Sequence, residues 1–332
     1  MNDLNALTPQ RLAAAGLNLN NASDRSLLTS RLSSPLAQAA GFKAPYAIFP
    51  LAQTVAQSLR PYPQFLSIPI LWSPLGSSWY DALQTKLTKR FSHGLTSSTN
   101  FTWAKELALG AEGGTAGQSV NDVYNRQNQK AVSAYSQPFV FVTSTSYTTP
   151  KAGPNRWTKF ATGDWTLGVV LRYQSGTPIF VPLAQNSQTS YLFRGTVANR
   201  VPGQPLFLKD LNCHCFDPNT TPVLNPAAWT DPAPGQWGTS ALYYNDFRFA
   251  RRPSEAANLS RVFNLRENVR LEFQAMFFNI FNRTFLNNPT STNAKATPVY
   301  SNGTLISGFG AISTASTNQL PRTGLLSLRL QF

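Results

Sequence analysis

The residues best suited to chemistry are few. The chain has two histidines, His93 and His214, and two cysteines, Cys213 and Cys215. Three of these four fall together as Cys213-His214-Cys215. A tetrahedral metal needs ligands at separated corners, and three consecutive residues cannot easily supply three of them. A small Cys213–Cys215 disulfide or a pair of free thiols is the stronger expectation, although the disulfide ring would be tight. Ser92-His93-Gly94 places a hydroxyl beside an imidazole. No Ser-His-Asp order surrounds it, so His93 reads as a polar turn residue. The run GAEGGTAG, residues 110–117, lacks the strand-to-helix setting of a nucleotide fingerprint. No paired carboxylates stand out. The expectation is a protein that is not an enzyme and that carries no cofactor and no metal.

The remaining candidates are polar and aromatic side chains whose role depends on the elements that hold them. Charged residues make up 13% of the 332 residues, about half the usual share, while aromatics make up 12%. Few charges with many aromatics, Ser, Thr, Asn and Gln suit a β-barrel with a lipid-facing side and an uncharged polar lining. Lys plus Arg number 28 against 14 for Asp plus Glu, a net charge of +14. These cations are scattered rather than clustered, and anionic lipid headgroups match them as well as nucleic acid does. No nucleic-acid partner is expected. No stretch approaches eighteen uninterrupted apolar residues.

Period-two alternation recurs along the chain. Leu326, Leu328, Leu330 and Phe332 share one face of the final run, opposite Ser327, Arg329 and Gln331, with Leu325 an exception. In the run before it, Val269, Leu271, Phe273, Ala275 and Phe277 oppose Arg270, Glu272 and Gln274, and Met276 and Phe278 blur the end. Only Glu267-Asn268 separates that run from one ending at Arg266, a link that suits a tight hairpin. Further strands are predicted over Tyr80–Phe91, Leu95–Trp103, Phe139–Thr149 and Trp165–Tyr173, with an eighth over Gln64–Leu71. The predicted polar side holds Lys86, Arg90, Arg172, Gln174, Arg270, Glu272, Gln274, Arg329 and Gln331. These nine would face a barrel lumen, as a substrate path or as a wall that pairs its charges with a plug.

The connections alternate in length. They are short near 92–94, long over 107–137, short over 150–163, long over 175–256, short at 267–268 and long over 282–320. Up-and-down strands put every second connection on one side, and outer-membrane barrels have short periplasmic turns and long extracellular loops. A soluble sandwich has no reason to sort its loops this way. The expected fold is all-β: an antiparallel up-and-down transmembrane barrel segment of about seven or eight strands. Residues 1–60 read as an irregular extracellular loop region with a short helix at Leu7–Ala15, and residues 61–332 as the barrel part. Trp229 and Trp237, in a Pro-rich connection, could stack on a sugar, though such residues more often pack the loop against itself.

Several stretches resemble the C-terminal barrel of Oar-like TonB-dependent receptors. They are YDALQTKLTKRFSHGLTSSTNFTWAK at 80–105, LRYQSGTPIFV at 171–181, NPAAWTDPAPGQWGTS at 225–240, LEFQAMFFNIFNRTFLNNP at 271–289 and LPRTGLLSLRLQF at 320–332. The alternate Leu326, Leu328, Leu330 and terminal Phe332 also resemble the signal read by the barrel-assembly machinery. The resemblance implies an outer-membrane location and uptake of a large ligand, such as a metal chelate or an oligosaccharide. It implies as partners outer-membrane lipid, the assembly machinery, and the remaining strands and plug of a parent receptor. TonB would be reached only through the missing N-terminal part. Full members carry a signal peptide and plug and about 22 strands; neither is visible here, so a fragment is expected. The alternatives are a soluble or surface β-rich binding module, whose apolar faces a second sheet would cover, and a truncated remnant.

Overall fold

In a computed structural model of the chain, residues 4–68, 76–109, 122, 129–193, 195–213, 215–315 and 321–332 are described. Seven long strands form one antiparallel sheet. They are β1 (Ser77–Ser92), β2 (Leu95–Leu109), β3 (Phe139–Thr148), β4 (Trp165–Gln174), β5 (Ser254–Arg266), β6 (Val269–Phe278) and β7 (Thr323–Gln331). Their order across the sheet is their order in the chain. A two-residue strand, Ala131–Val132, extends the sheet beside the end of β2. β1 and β7 are the outer strands, and among the described residues neither is paired on its far side. The predicted strand over Gln64–Leu71 does not form in its described part. Residues 64–68 lie in turn and bend, and residues 69–71 fall outside the described set.

The short connections have distinct causes. His93 and Gly94 join β1 to β2 with φ of 51° and 79°. Positive φ at both central residues gives the twist that a two-residue hairpin favours. A Cβ on Gly94 would also meet the Thr148 carbonyl at 2.2 Å, so glycine is required twice over. Glu267-Asn268 joins β5 to β6 without positive φ, and the pairing shifts register between Asn264 and Arg266. Between β3 and β4 the expected plain turn contains a seven-residue helix. A capping box starts it: the Thr158 N–H donates to Asn155 Oδ1 at 2.9 Å, and the Asn155 N–H donates to Thr158 Oγ1 at 3.2 Å.

Register decides what the sheet can do. One row of Cα partners runs Lys89, Ser97, Thr145, Val169, Ala257, Phe277, Gly324. It begins near the turn end of β1 and finishes at the second residue of β7, near the loop end. This slope is the stagger that tilted barrel strands need. Because partners across a row share a face, the apolar residues of all seven strands collect on one side.

The long connections gather at the other end of the sheet and fold on themselves. Residues 175–253, with parts of 282–315, form a core around Ile179, Val181, Val223, Leu224, Phe247 and Ile312. Within 282–315 lies a small hairpin, Val299–Ser301 with Thr304–Ser307. The N-terminal segment is more regular than its composition suggests. It holds α1 (Pro9–Ala14), α2 (Ala22–Thr29), α3 (Pro35–Ala39) and α4 (Val55–Ser58), and the 156–162 helix is then α5 (Arg156–Thr162). Thr8, Ser34 and Thr54 cap three of the N-terminal helices with their hydroxyls. Leu7, Leu12, Leu28 and Val55 form their common core. Neither core covers the middle of the long sheet.

Candidate functional site

The sheet itself presents the first site, two faces of opposite character. Leu83, Leu87, Leu326 and Leu328 lie on the apolar face, and Leu87 and Leu326 are each 71% exposed. Leaving such a leucine in water forgoes ~1.5–3 kcal/mol. A soluble sandwich would cover this face with a second sheet, and none of the described residues does so. Aromatics fall near its two ends: Trp79, Trp103, Phe139 and Tyr173 towards the loops, Tyr147, Trp165 and Phe263 towards the turns. Aliphatic residues, threonines and two phenylalanines, Phe101 and Phe273, occupy the middle. A ten-residue strand is about 33 Å long, and tilted by ~40° it rises by about the ~25 Å of a barrel's apolar band. Hydroxyls on this face pair with one another. Ser97 meets Thr145 at 2.8 Å and Thr99 meets Thr143 at 2.8 Å. In a medium without water, that pairing is what keeps them tolerable.

By register, Lys86, Arg172, Gln174, Arg270, Glu272, Gln274, Arg329 and Gln331 lie on the opposite face, while Arg90 falls in the register shift between Lys89 and Ser92. The structure brings five of them together on the paired strands β6 and β7: Arg270 is opposite Gln331, and Glu272 is opposite Arg329, with Gln274 next along. Lys86 and Arg90 stand five strands away, and Arg172 and Gln174 sit at the loop end of β4. The apolar exceptions to the alternation also cluster here. Val170 pairs with Ala256, Ala256 with Phe278, and Met276 with Leu325, one patch from four strands near the loop end. The terminal set Leu326, Leu328 and Leu330 lies on the apolar face opposite Ala275, Phe273 and Leu271, and Phe332 follows at 97% exposure.

Asp81, Lys89 and Lys105 put charges on the apolar face near the ends of β1 and β2, and β5 carries two more that are buried. Glu255 is 2% exposed and accepts from Arg283 Nε at 2.9 Å. Arg261 is 5% exposed. Its guanidinium donates to the Phe160 and Ala161 carbonyls at the end of α5. It also lies 4.6 Å from the Phe263 ring and 5.3 Å from Trp165. Carbonyls and ring faces thus hold the cation, though its buried Nε makes no hydrogen bond among the described residues, and α5 is held against the turn end of the sheet.

The second site is an open cavity of about 940 Å³ at the loop end. Its floor is Phe139, Phe141 and Tyr173, all on the apolar face, and its walls are the segments 207–212 and 245–253. Arg248 braces one wall. It donates to the carbonyls of Ser136 at 2.6 Å, Gly176 at 3.0 Å and Asn245 at 2.8 Å. Burial lowers its pKa from the ordinary guanidinium value. Arg200 holds Asp246 through two bonds of 3.2 and 2.7 Å, and the hydrogen bond to Asp246 raises its pKa. Periodicity could not find this cavity, whose walls come from non-periodic loops; the only signal was the basic pair Arg251-Arg252.

Cys213 and Cys215 are joined as a disulfide beside this wall, with Cα atoms 5.2 Å apart, while His214 lies outside the described residues. No group of three or more His, Cys, Asp or Glu able to hold a metal occurs among the described residues. Trp229 is buried against Phe247 at 5.3 Å, and Trp237 packs on the N-terminal core. Both support the loops rather than offer a ring to a ligand. His93 stays in its turn, with Nδ1 2.9 Å from Ser92 Oγ. No described helix is long and apolar enough to cross a membrane, which says nothing about strands.

Comparison with known proteins agrees with the sheet. No curated protein and no solved structure gives a match. The family model described as an outer membrane beta barrel domain matches residues 3–324. With an up-and-down antiparallel sheet, one uncovered apolar face and a polar face behind it, the chain belongs to the outer membrane beta barrel domain family.

Proposed function

We propose that this chain forms the C-terminal part of the barrel of an Oar-like TonB-dependent receptor, which takes up a ligand too large for a porin, such as a metal chelate or an oligosaccharide. The observation that carries this reading is the open, sloped sheet: among the described residues, β1 and β7 each leave a row of backbone groups unpaired. In lipid such groups must be satisfied by further strands. Seven strands are a third of the ~22 in a plugged transporter barrel. The apolar face meets lipid, and the polar face, with Arg270, Glu272 and Arg329, lines the interior against a plug. The resemblance of the terminal Leu326, Leu328, Leu330 and Phe332 to an assembly signal supports delivery by the barrel-assembly machinery. TonB would act through the plug, not on these strands. Nothing in the proposed role needs a catalytic group.

The test is to tag this segment in its native cell, extract the outer membrane with mild detergent and weigh the particle that carries it. A polypeptide or complex containing a plug and the missing strands is the expected result. A self-closed assembly of copies of this chain alone would refute the receptor reading and keep the barrel. Recovery as a single chain in the aqueous fraction would refute both.

A further inference from the structure

The cavity at the loop end opens on the apolar side of the sheet, not on the polar side. Its aromatic floor is continuous with the face that meets lipid, and it sits where the apolar band ends. Most charges around it are already engaged. Arg283 is held by Glu255 at 2.9 Å, Asp246 by Arg200 at 2.7 Å, and Arg248 by backbone carbonyls. The Asp210 carboxylate accepts from the Asn212 N–H at 2.8 Å within its own loop. Lys209 and Arg251 also line the cavity, and among the described residues neither side chain has an ion-pair or hydrogen-bond partner. Their segments are pinned together: the Arg251 N–H donates to Asn212 Oδ1 at 2.9 Å.

We propose that this cavity binds the phosphorylated headgroup of an outer-leaflet lipid, with phosphate on Lys209 and Arg251 and an acyl chain over Phe139, Phe141 and Tyr173. Each part of the cavity excludes a simpler ligand. A small soluble anion would pair the two cations but leave the aromatic floor wet. A neutral lipid would cover the floor but leave two cations, Lys209 and Arg251, against the single carboxylate of Asp210. A phosphorylated amphiphile satisfies both at once, and a bilayer presents one at this height and orientation. Two charge-assisted contacts to phosphate give such a site its selectivity. The proposal rests on the reading that the apolar face meets lipid.

The test uses the tagged outer-membrane particle that carries this chain, extracted in mild neutral detergent. Binding of diphosphorylated lipid A, its dephosphorylated counterpart and inorganic phosphate is compared by native mass spectrometry. The expected result is at least a roughly tenfold preference for the phosphorylated lipid. Lys209→Gln with Arg251→Gln together should abolish it, and Lys43→Gln, on the exposed N-terminal segment, should leave it intact. Equal binding of the dephosphorylated lipid overturns the proposal, as does full competition by inorganic phosphate or an unaffected double variant. Circular dichroism and heat-modifiable migration are recorded on the same samples. A chain that inserts as β-structure but shows no lipid preference refutes this proposal alone. A segment recovered only as a single chain in the aqueous fraction refutes the barrel reading and this proposal with it.

Discussion

Arg261 donates from its guanidinium to the Phe160 carbonyl, and its Cζ lies 4.8 Å from the centroid of the Phe160 ring. One side chain therefore holds the end of α5 through both a backbone carbonyl and a ring face. The other charged tie in this connection, Lys151 to Asp164 at 3.2 Å, is exposed and contributes little. Arg261→Ala is expected to cost about 2 kcal/mol and to release α5. Urea unfolding in micelles measures the first, and trypsin cleavage at Arg156 and Lys159 the second. Arg261→Lys should rescue little, because an ammonium cannot reach two carbonyls and several ring faces together. Unchanged cleavage in the alanine variant would remove the clamp from the account.

The hydroxyl pairs on the apolar face make a sharper test of the surrounding medium. Thr143→Val leaves the Thr99 hydroxyl without its 2.8 Å partner. In lipid that single change should cost about 1–3 kcal/mol. Thr99→Val with Thr143→Val should be near neutral or stabilising, since no polar group is then stranded. A double-mutant cycle reads the difference. Were this face in water, the single and double variants would both be close to wild type.

Neighbouring residues of β7 should respond in opposite ways to the same charge. Leu326 faces the apolar side opposite Ala275, and Ser327 faces the polar side opposite Gln274. Leu326→Arg is expected to lose about 2–4 kcal/mol near the middle of the band and to fall out of the outer-membrane fraction. Ser327→Arg should assemble normally. Equal effects would mean that the two faces do not meet different media.

Gly94 offers a test of the turn alone. Its φ of 79° and its 2.2 Å approach to the Thr148 carbonyl leave no room for a side chain. Gly94→Ala is expected to cost about 1–3 kcal/mol, whereas His93→Asn, at a φ of 51° that asparagine accepts, should be tolerated. Thermal unfolding of the two variants in micelles checks both. A Gly94→Ala protein as stable as wild type would show that this turn can move.

Much of the long sheet was legible because one face needs apolar side chains at every second position. Leu326, Leu328 and Leu330 announce β7, and Glu267-Asn268 announces the last hairpin. The parity of long and short connections then implied the up-and-down order. The start of β5, Ser254–Ala256, was hidden for a physical reason: Glu255 puts a charge on the apolar face, and alternation cannot know that Arg283 will pair with it. α5 itself is too short for a helical period and shows only in the Asn155–Thr158 cap. The loop core and the cavity rest on contacts between residues far apart in the chain, such as Arg248 with Ser136, and no local pattern carries them. The blurred positions Met276, Phe278 and Leu325 looked like noise in each strand. Only the register shows that they are neighbours.

The slope of the sheet has a consequence for whatever closes it. Following the partners from Lys89 to Gly324 is like climbing a spiral stair, and a ring of strands must arrive back on a tread. Side chains alternate with a period of two, so the total climb around the ring must be an even number of residues. A seam that missed by one would exchange inside and outside along the whole joining strand. The edges of β1 and β7 therefore accept a joining strand only in every second register.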